Sequence, residues 1–400
     1  MEAYIFEVLH LILRYFHVIA GIAWIGASFY FVWLDNNLQE PPQWKKDKGI
    51  RGDLWAIHGG GFYEVAKYAN GPEAMPKNLH WFKWEAYTTF ITGFLLLSLL
   101  YYVGADAYLM DANKSDIGKT AAIAGSIASL IIGWFVYDGL CRTPLVNNGR
   151  AFAVVMVGLI TAWAYVLDQF LQDRAAYIHV GAVIGTCMAG NVFRSIMPGQ
   201  RYMVAEIAAG RIPDSGPGLT AKLRSTHNNY ATLPVVFIML SNHFAFTYGH
   251  DYGWLVLAAL FVVGMWIRHY FNLKHQGINK PSVFVSGCIA FLLVMAAIAP
   301  WSAIQSDADQ SATKIATVSH EQVWSVVEKH CTECHSEAPR SPMFSSAPSG
   351  FVLDDIQQLI AAKARVYNRA IISKDMPLAN ITQMSEEERD LLKQWISQQK

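Results

Sequence analysis

The sequence predicts an all-α protein in two unlike parts, a polytopic eight-helix transmembrane bundle followed by a small α-helical domain. Three observations carry this expectation. Hydrophobic residues make up 53% of the chain and charged residues only 16%, far from the balance of a soluble domain. The apolar residues gather into runs of about 20, the length one helical crossing of a bilayer needs. After residue 300 the pattern changes, with a polar stretch followed by short amphipathic segments.

Eight apolar runs are read, at roughly 8–33, 84–104, 121–140, 150–171, 176–197, 229–247, 252–270 and 281–300. The first lacks a basic leading region, runs too long for a signal peptide and has no small-residue cleavage site, so it is expected to remain as a helix. Residues 301–317, rich in Ser, Ala, Asp and Gln without periodicity, read as a flexible linker. In 318–400, Ser319 and Gln322 have the spacing of a capping box, and Val323, Val326, Val327 and His330 share one helical stripe. Ser385 and Glu388 repeat the box before a helix whose Leu391, Leu392, Trp395 and Ile396 form its buried face. So short a segment makes a small core, which a bound group would have to complete.

The stretch HCTECHS names that group. Cys331, Cys334 and His335 form C-x-x-C-H, the attachment signature of a c-type haem. The second part therefore reads as a cytochrome c domain, with His335 as one axial ligand. For the other, Met376 leads over Met384 and Met343, because Pro377 turns the chain after it and KDMPLAN is similar to the sixth-ligand loop of small cytochromes c. Both would be ligands of the haem iron.

Orientation follows from the cofactor. Haem is attached outside the cytoplasmic membrane, which places the tail in the periplasm and, with eight crossings, the N-terminus there too. The segments 34–83, 141–150, 194–227 and 268–280 then face the cytoplasm and carry 17 Lys and Arg, against Lys114, Lys119 and Arg174 on the other side. This obeys the positive-inside rule. The remaining cysteines, Cys141, Cys187 and Cys288, lie in separate membrane helices and read as small core residues. With 31 basic and 31 acidic side chains there is no sign of nucleic-acid binding.

Ionisable groups inside a membrane segment are functional candidates. His10, Arg14 and His17 share one face of the first helix. His179, His243 and Asp168 lie toward the periplasmic side, and Arg268 with His269 at the cytoplasmic end of the seventh helix. Histidines so placed suit a b-type haem, a metal ion or a substrate base equally well. The first cytoplasmic loop adds His58 beside Gly59, Gly60 and Gly61, then His80, Lys83 and Glu85 among tryptophans. Its glycines would let backbone approach a ligand closely.

Three stretches carry a resemblance: LRYFHVIAGIAWIGASFYFVWLD, DLWAIHGGGFYEVAKY and LHWFKWEAYTTFITGF. With the terminal C-x-x-C-H they resemble the membrane-bound urate oxidases (urate hydroxylases of the PuuD type), eight-helix proteins that end in a cytochrome c domain. The resemblance covers the whole chain. It implies oxidation of urate to 5-hydroxyisourate in the bacterial inner membrane, with electrons passed to haem c and on to a terminal oxidase. A weaker similarity of His17, Trp24 and Gly26 to haem-dependent protoporphyrinogen oxidases implies a second, b-type haem. The residues alone leave two other classes open, a pure electron-transfer cytochrome and a metal or haem transporter with a cytochrome sensor.

Overall fold

The computed structural model describes residues 2–111, 114–299 and 318–399. The expected linker, 301–317, lies outside the described residues. Helix occupies each of the eight apolar runs: α1 (Glu2–Asn37), α2 (Trp84–Val103), α3 (Lys119–Leu140), α4 (Gly149–Phe170), α5 (Asp173–Ala208), α6 (Ser215–Ser241), α7 (Gly253–His275) and α8 (Pro281–Ala297). Six of them are long and apolar enough to cross a membrane. The other two are α6, which opens with Lys222, Arg224, His227, Asn228 and Asn229, and α8, at 17 residues.

Helix α5 is the hub, packing on α2, α3, α4, α6 and α7. Apolar lipid tails give helices little hydrophobic reason to associate, so close van der Waals approach has to hold the bundle. Gly190 shows how: a Cβ there would lie 2.4 Å from the Trp134 ring of α3. Tyr177, Val180, Ile184 and Met188 of α5 join Leu130, Ile238, Leu257 and Phe261 in one core. Helix α1 behaves differently. It packs mainly on α2 and leaves Ile5, Leu9, Ile12, Phe16 and Ile19 exposed on a wide apolar face suited to lipid.

The first loop carries a β-hairpin. Strands β1 (Ile50–His58) and β2 (Gly61–Tyr68) pair antiparallel. Gly59 and Gly60, both at positive φ, form the two-residue tip, the geometry that matches strand twist. The glycines therefore serve the turn, and nothing lies within 4 Å of a Cβ built on either. Lys45, only 3% exposed, ties the hairpin base through ion pairs to Asp53 and Glu64.

The tail has its own core. Helices α9 (His320–His330), α10 (Ile356–Val366) and α11 (Glu386–Gln398) surround Val323, Val327, Leu359, Leu392 and Trp395. Both expected capping boxes form, Ser319 with Gln322 and Ser385 with Glu388. All four residues of the α9 stripe are buried.

Candidate functional site

Cys331 sits at the C-terminus of α9, and the following turn is closed by the His335 N–H donating to the Cys331 carbonyl at 2.9 Å. Nδ1 of His335 lies 2.9 Å from the Phe351 carbonyl. That bond fixes the proton on Nδ1 and leaves Nε2 with a bare lone pair, the usual arrangement of a metal-binding histidine. Burial pushes the Cys331 thiol up to about 12 and lowers His335 from its ordinary value, so the imidazole stays neutral. Of the methionines, Met384 is 4% exposed and committed to the tail core. Met376 is only half-buried, and its backbone is held by Arg389 and by the Arg369 carbonyl. Two thiols, an imidazole with a free Nε2 and a free thioether fit the needs of a c-type haem.

The loop before Met376 lies against the membrane part. Asp375 pairs with Arg369 at 2.6 Å and accepts from the Tyr248 hydroxyl at 3.4 Å. A Cβ on Gly249 would stand 2.5 Å from the Ser373 carbonyl oxygen, so only glycine allows the two backbones to meet. Ser345 bonds Glu7 at the start of α1, and the Ala105–Tyr108 turn packs on residues 378–380. The N-terminus, the turn after α2 and the turn after α6, expected on one side, all touch the tail. They form the tail end of the bundle.

Beneath it lies part of the α1 stripe. His10 and His17 face inward with Phe6 and Trp24, whereas Arg14 is more exposed. Nε2 of His10 is buried without a partner. Arg14 and Arg174 are within electrostatic reach of each other and of Tyr101 and Tyr108, and the Arg174 guanidinium lies 4.9 Å from the Tyr108 ring centre. Nδ1 of His17 meets the Thr89 carbonyl at 3.0 Å and the Thr92 hydroxyl at 3.3 Å. Its Nε2 makes no hydrogen bond among the described residues.

His179 is unlike these. It is fully buried, with Nδ1 2.7 Å from the Ala175 carbonyl and Nε2 2.6 Å from the Ser126 hydroxyl. A ring so engaged has no lone pair to spare. His243 lies exposed in the turn after α6. A b-type haem would therefore draw on His17 or His10. Asp168 is paired with Lys114 at 3.1 Å. Among the described residues no three His, Cys, Asp or Glu side chains group as a metal site.

The loop candidates are scattered. His58 is exposed at the hairpin tip, and His80 is exposed with its ring against Phe82. Lys83 lies 5.6 Å over the Trp84 ring. Glu85 is in the first turn of α2, suited to its dipole, with one buried carboxylate oxygen lacking a partner.

Two buried polar clusters, neither evident from the sequence, lie in the half away from the tail. In one, Arg224 donates to Asp138 at 2.7 Å and to Asn191 at 3.1 Å, and Asn191 donates to Tyr137 and Asn228, each at 2.8 Å. In the other, Arg268 donates through Nε to Asn229 at 3.0 Å and stacks on Phe29 at 3.8 Å. The signal was present as Asn228, Asn229 and Asn272 inside or beside apolar runs, costly residues that needed a reason.

The urate oxidase N-terminal family model matches residues 3–299, all eight helices. No curated protein and no solved structure matches the chain. With the match spanning well over half of its length, the chain belongs to the urate oxidase N-terminal family.

Proposed function

We propose that this protein oxidises urate within its membrane-spanning part and passes the electrons to its own tail. The balanced reaction is urate plus water giving 5-hydroxyisourate, two protons and two electrons. The family match over 3–299 is the observation that carries the substrate. In this reading 1–300 is the catalytic domain, 301–317 the linker and 318–400 a cytochrome c domain, with Cys331, Cys334, His335 and Met376 holding the haem. A haem c held there supplies one-electron chemistry, so it is used twice for each urate and discharged toward a terminal oxidase.

The chain's own residues have two tasks. His17, with its proton fixed on Nδ1 by the Thr89 carbonyl, presents Nε2 as a base for a purine N–H while water adds at C5. The docked loop at Tyr248 and Gly249 keeps the tail on the face that His10, Arg14 and Arg174 approach. The tail end faces the periplasm of the bacterial inner membrane, because haem attachment happens there and the basic residues concentrate on the opposite side.

Anaerobic addition of urate to the oxidised full chain tests the reading. The haem bands should reduce, with two haems per urate, and His17→Ala should lose that reduction. Loss of a b-type absorption signal in the variant assigns His17 to haem binding, and unchanged spectra assign it to proton transfer. No urate-dependent reduction of the wild type would leave an electron carrier and defeat the proposal.

A further inference from the structure

At the end of the bundle away from the tail, an open cleft of about 350 Å³ lies between the end of α3 and α5. Trp134, Phe135, Asp138, Gly139 and Arg142 line one side of it and Arg194 of α5 the other. Both arginines are exposed. Arg142 grips Asp138 Oδ2 through Nε at 2.9 Å and Nη2 at 2.6 Å, which fixes its guanidinium at the cleft. Asp138 is already shared with the buried Arg224, so it cannot neutralise the lining. Arg194 has no ion pair or hydrogen bond among the described residues. It sits in the π-helical turn Val192–Ile196, and single π-turns within a helix recur at functional sites.

Depth and surroundings identify the ligand. From the tail end, Lys119 to Arg142 and Asp173 to Arg194 each span about 30–35 Å of helix, close to the thickness of a hydrocarbon core. Both guanidiniums therefore reach the opposite membrane surface, at headgroup level. Above them Phe135, Ile131 and Ile127, spaced four apart on one face of α3, are 67%, 51% and 37% exposed. These three side chains make an apolar track from the cleft into the bilayer core. Positive charge at the surface with an apolar track above it suits a phosphate that carries an acyl chain. We propose that Arg142 and Arg194 clasp the phosphate of an anionic phospholipid, with one acyl chain along Phe135, Ile131 and Ile127. A zwitterionic headgroup would bring its own cation against the guanidiniums, and free phosphate would leave the track empty. Gly139 keeps the cleft open, since nothing lies within 4 Å of a Cβ built there.

Native mass spectrometry of the full chain, stripped of lipid in detergent and titrated with phosphatidylglycerol, tests the site. The first phosphatidylglycerol should bind about 10-fold more tightly than phosphatidylcholine. Arg194→Gln breaks no contact within the chain, so its unfolding temperature without lipid should match the wild type. Its affinity for phosphatidylglycerol should fall about 10-fold, the loss of one charge-assisted hydrogen bond. Gly139→Leu keeps both charges and fills the cleft, so it should lose affinity as well. Phosphatidylglycerol should raise the unfolding temperature of the wild type and not that of either variant. Equal affinity in the wild type and both variants would overturn the proposal, as would equal binding of the two lipids. Inorganic phosphate raising the unfolding temperature as far as phosphatidylglycerol does would overturn the lipid assignment and leave a site for a free anion.

Discussion

The two buried polar clusters sit side by side on α6, built from the same residue types, and differ in closure. Around Arg224, Asp138 Oδ1 supplies the counter-charge, Asp138 Oδ2 takes Arg142, Asn191 bridges Tyr137 and Asn228, and Asn228 donates to the Met188 carbonyl at 2.9 Å. Every strong group is used within the chain. Around Arg268 three groups are not. The same contrast separates two histidines, His179 with both nitrogens engaged and His17 with one. A closed cluster returns the cost of burying its polar groups, and an open one does not. Residue type alone does not tell the two apart.

The strongest way to break the comparison is to open the closed cluster. Arg224→Met leaves Asp138, 8% exposed, with only the outer Arg142. It should destabilise the membrane part by about 3–5 kcal/mol, read by denaturant unfolding in detergent, while Arg224→Met with Asp138→Leu should recover most of that. If the single variant is neutral, closure is not what holds these helices. Next in size is the histidine pair. Ser126→Ala strands His179 Nε2 and the Tyr102 hydroxyl, 2.8 Å from Ser126, and should cost about 1–3 kcal/mol in the same measurement. A similar cost from substituting Thr92 beside His17 would erase the distinction.

The smallest effect belongs to the tail surface. Lys329 beside Glu388, with the Ser385 backbone N–H, holds the Glu388 carboxyl down to about 2. A lowered carboxylate contributes stability that is complete above its unfolded value of 4.5 and is lost as pH falls toward 2. Partial exposure limits this to less than about 1 kcal/mol. Near-ultraviolet dichroism of the full chain should show Glu388→Gln flattening that part of the acid transition. An unchanged transition would mean the contact is fully screened.

Helix positions were legible because bilayer length and apolar content act on each segment separately, and both tail capping boxes were legible because their residues are three apart. The hairpin was not read, although Gly59-Gly60 between Trp55–His58 and Phe62–Lys67 carried a turn signal; the glycines suggested close approach to a ligand instead. The C-x-x-C-H motif is local and stood out at once. Arg268 was noted only as His269's neighbour, because its partners Asn229 and Phe29 come from α6 and α1, and no spacing in one helix reveals them. Whether a polar group is satisfied is a property of the packed bundle.

The meeting of Gly249 with Ser373 has a kinetic consequence. Because the tail shares a chain with the surface it sits on, its effective concentration there is on the order of millimolar. A diffusing soluble cytochrome at micromolar levels would face a disadvantage of roughly 1,000-fold. The Tyr248–Asp375 and Ser345–Glu7 hydrogen bonds, the approach of Gly249 to Ser373 and the packing of the Ala105–Tyr108 turn on residues 378–380 are then enough to keep the tail docked for much of the time. The same modest contact lets the tail leave the bundle and return to it without leaving the chain.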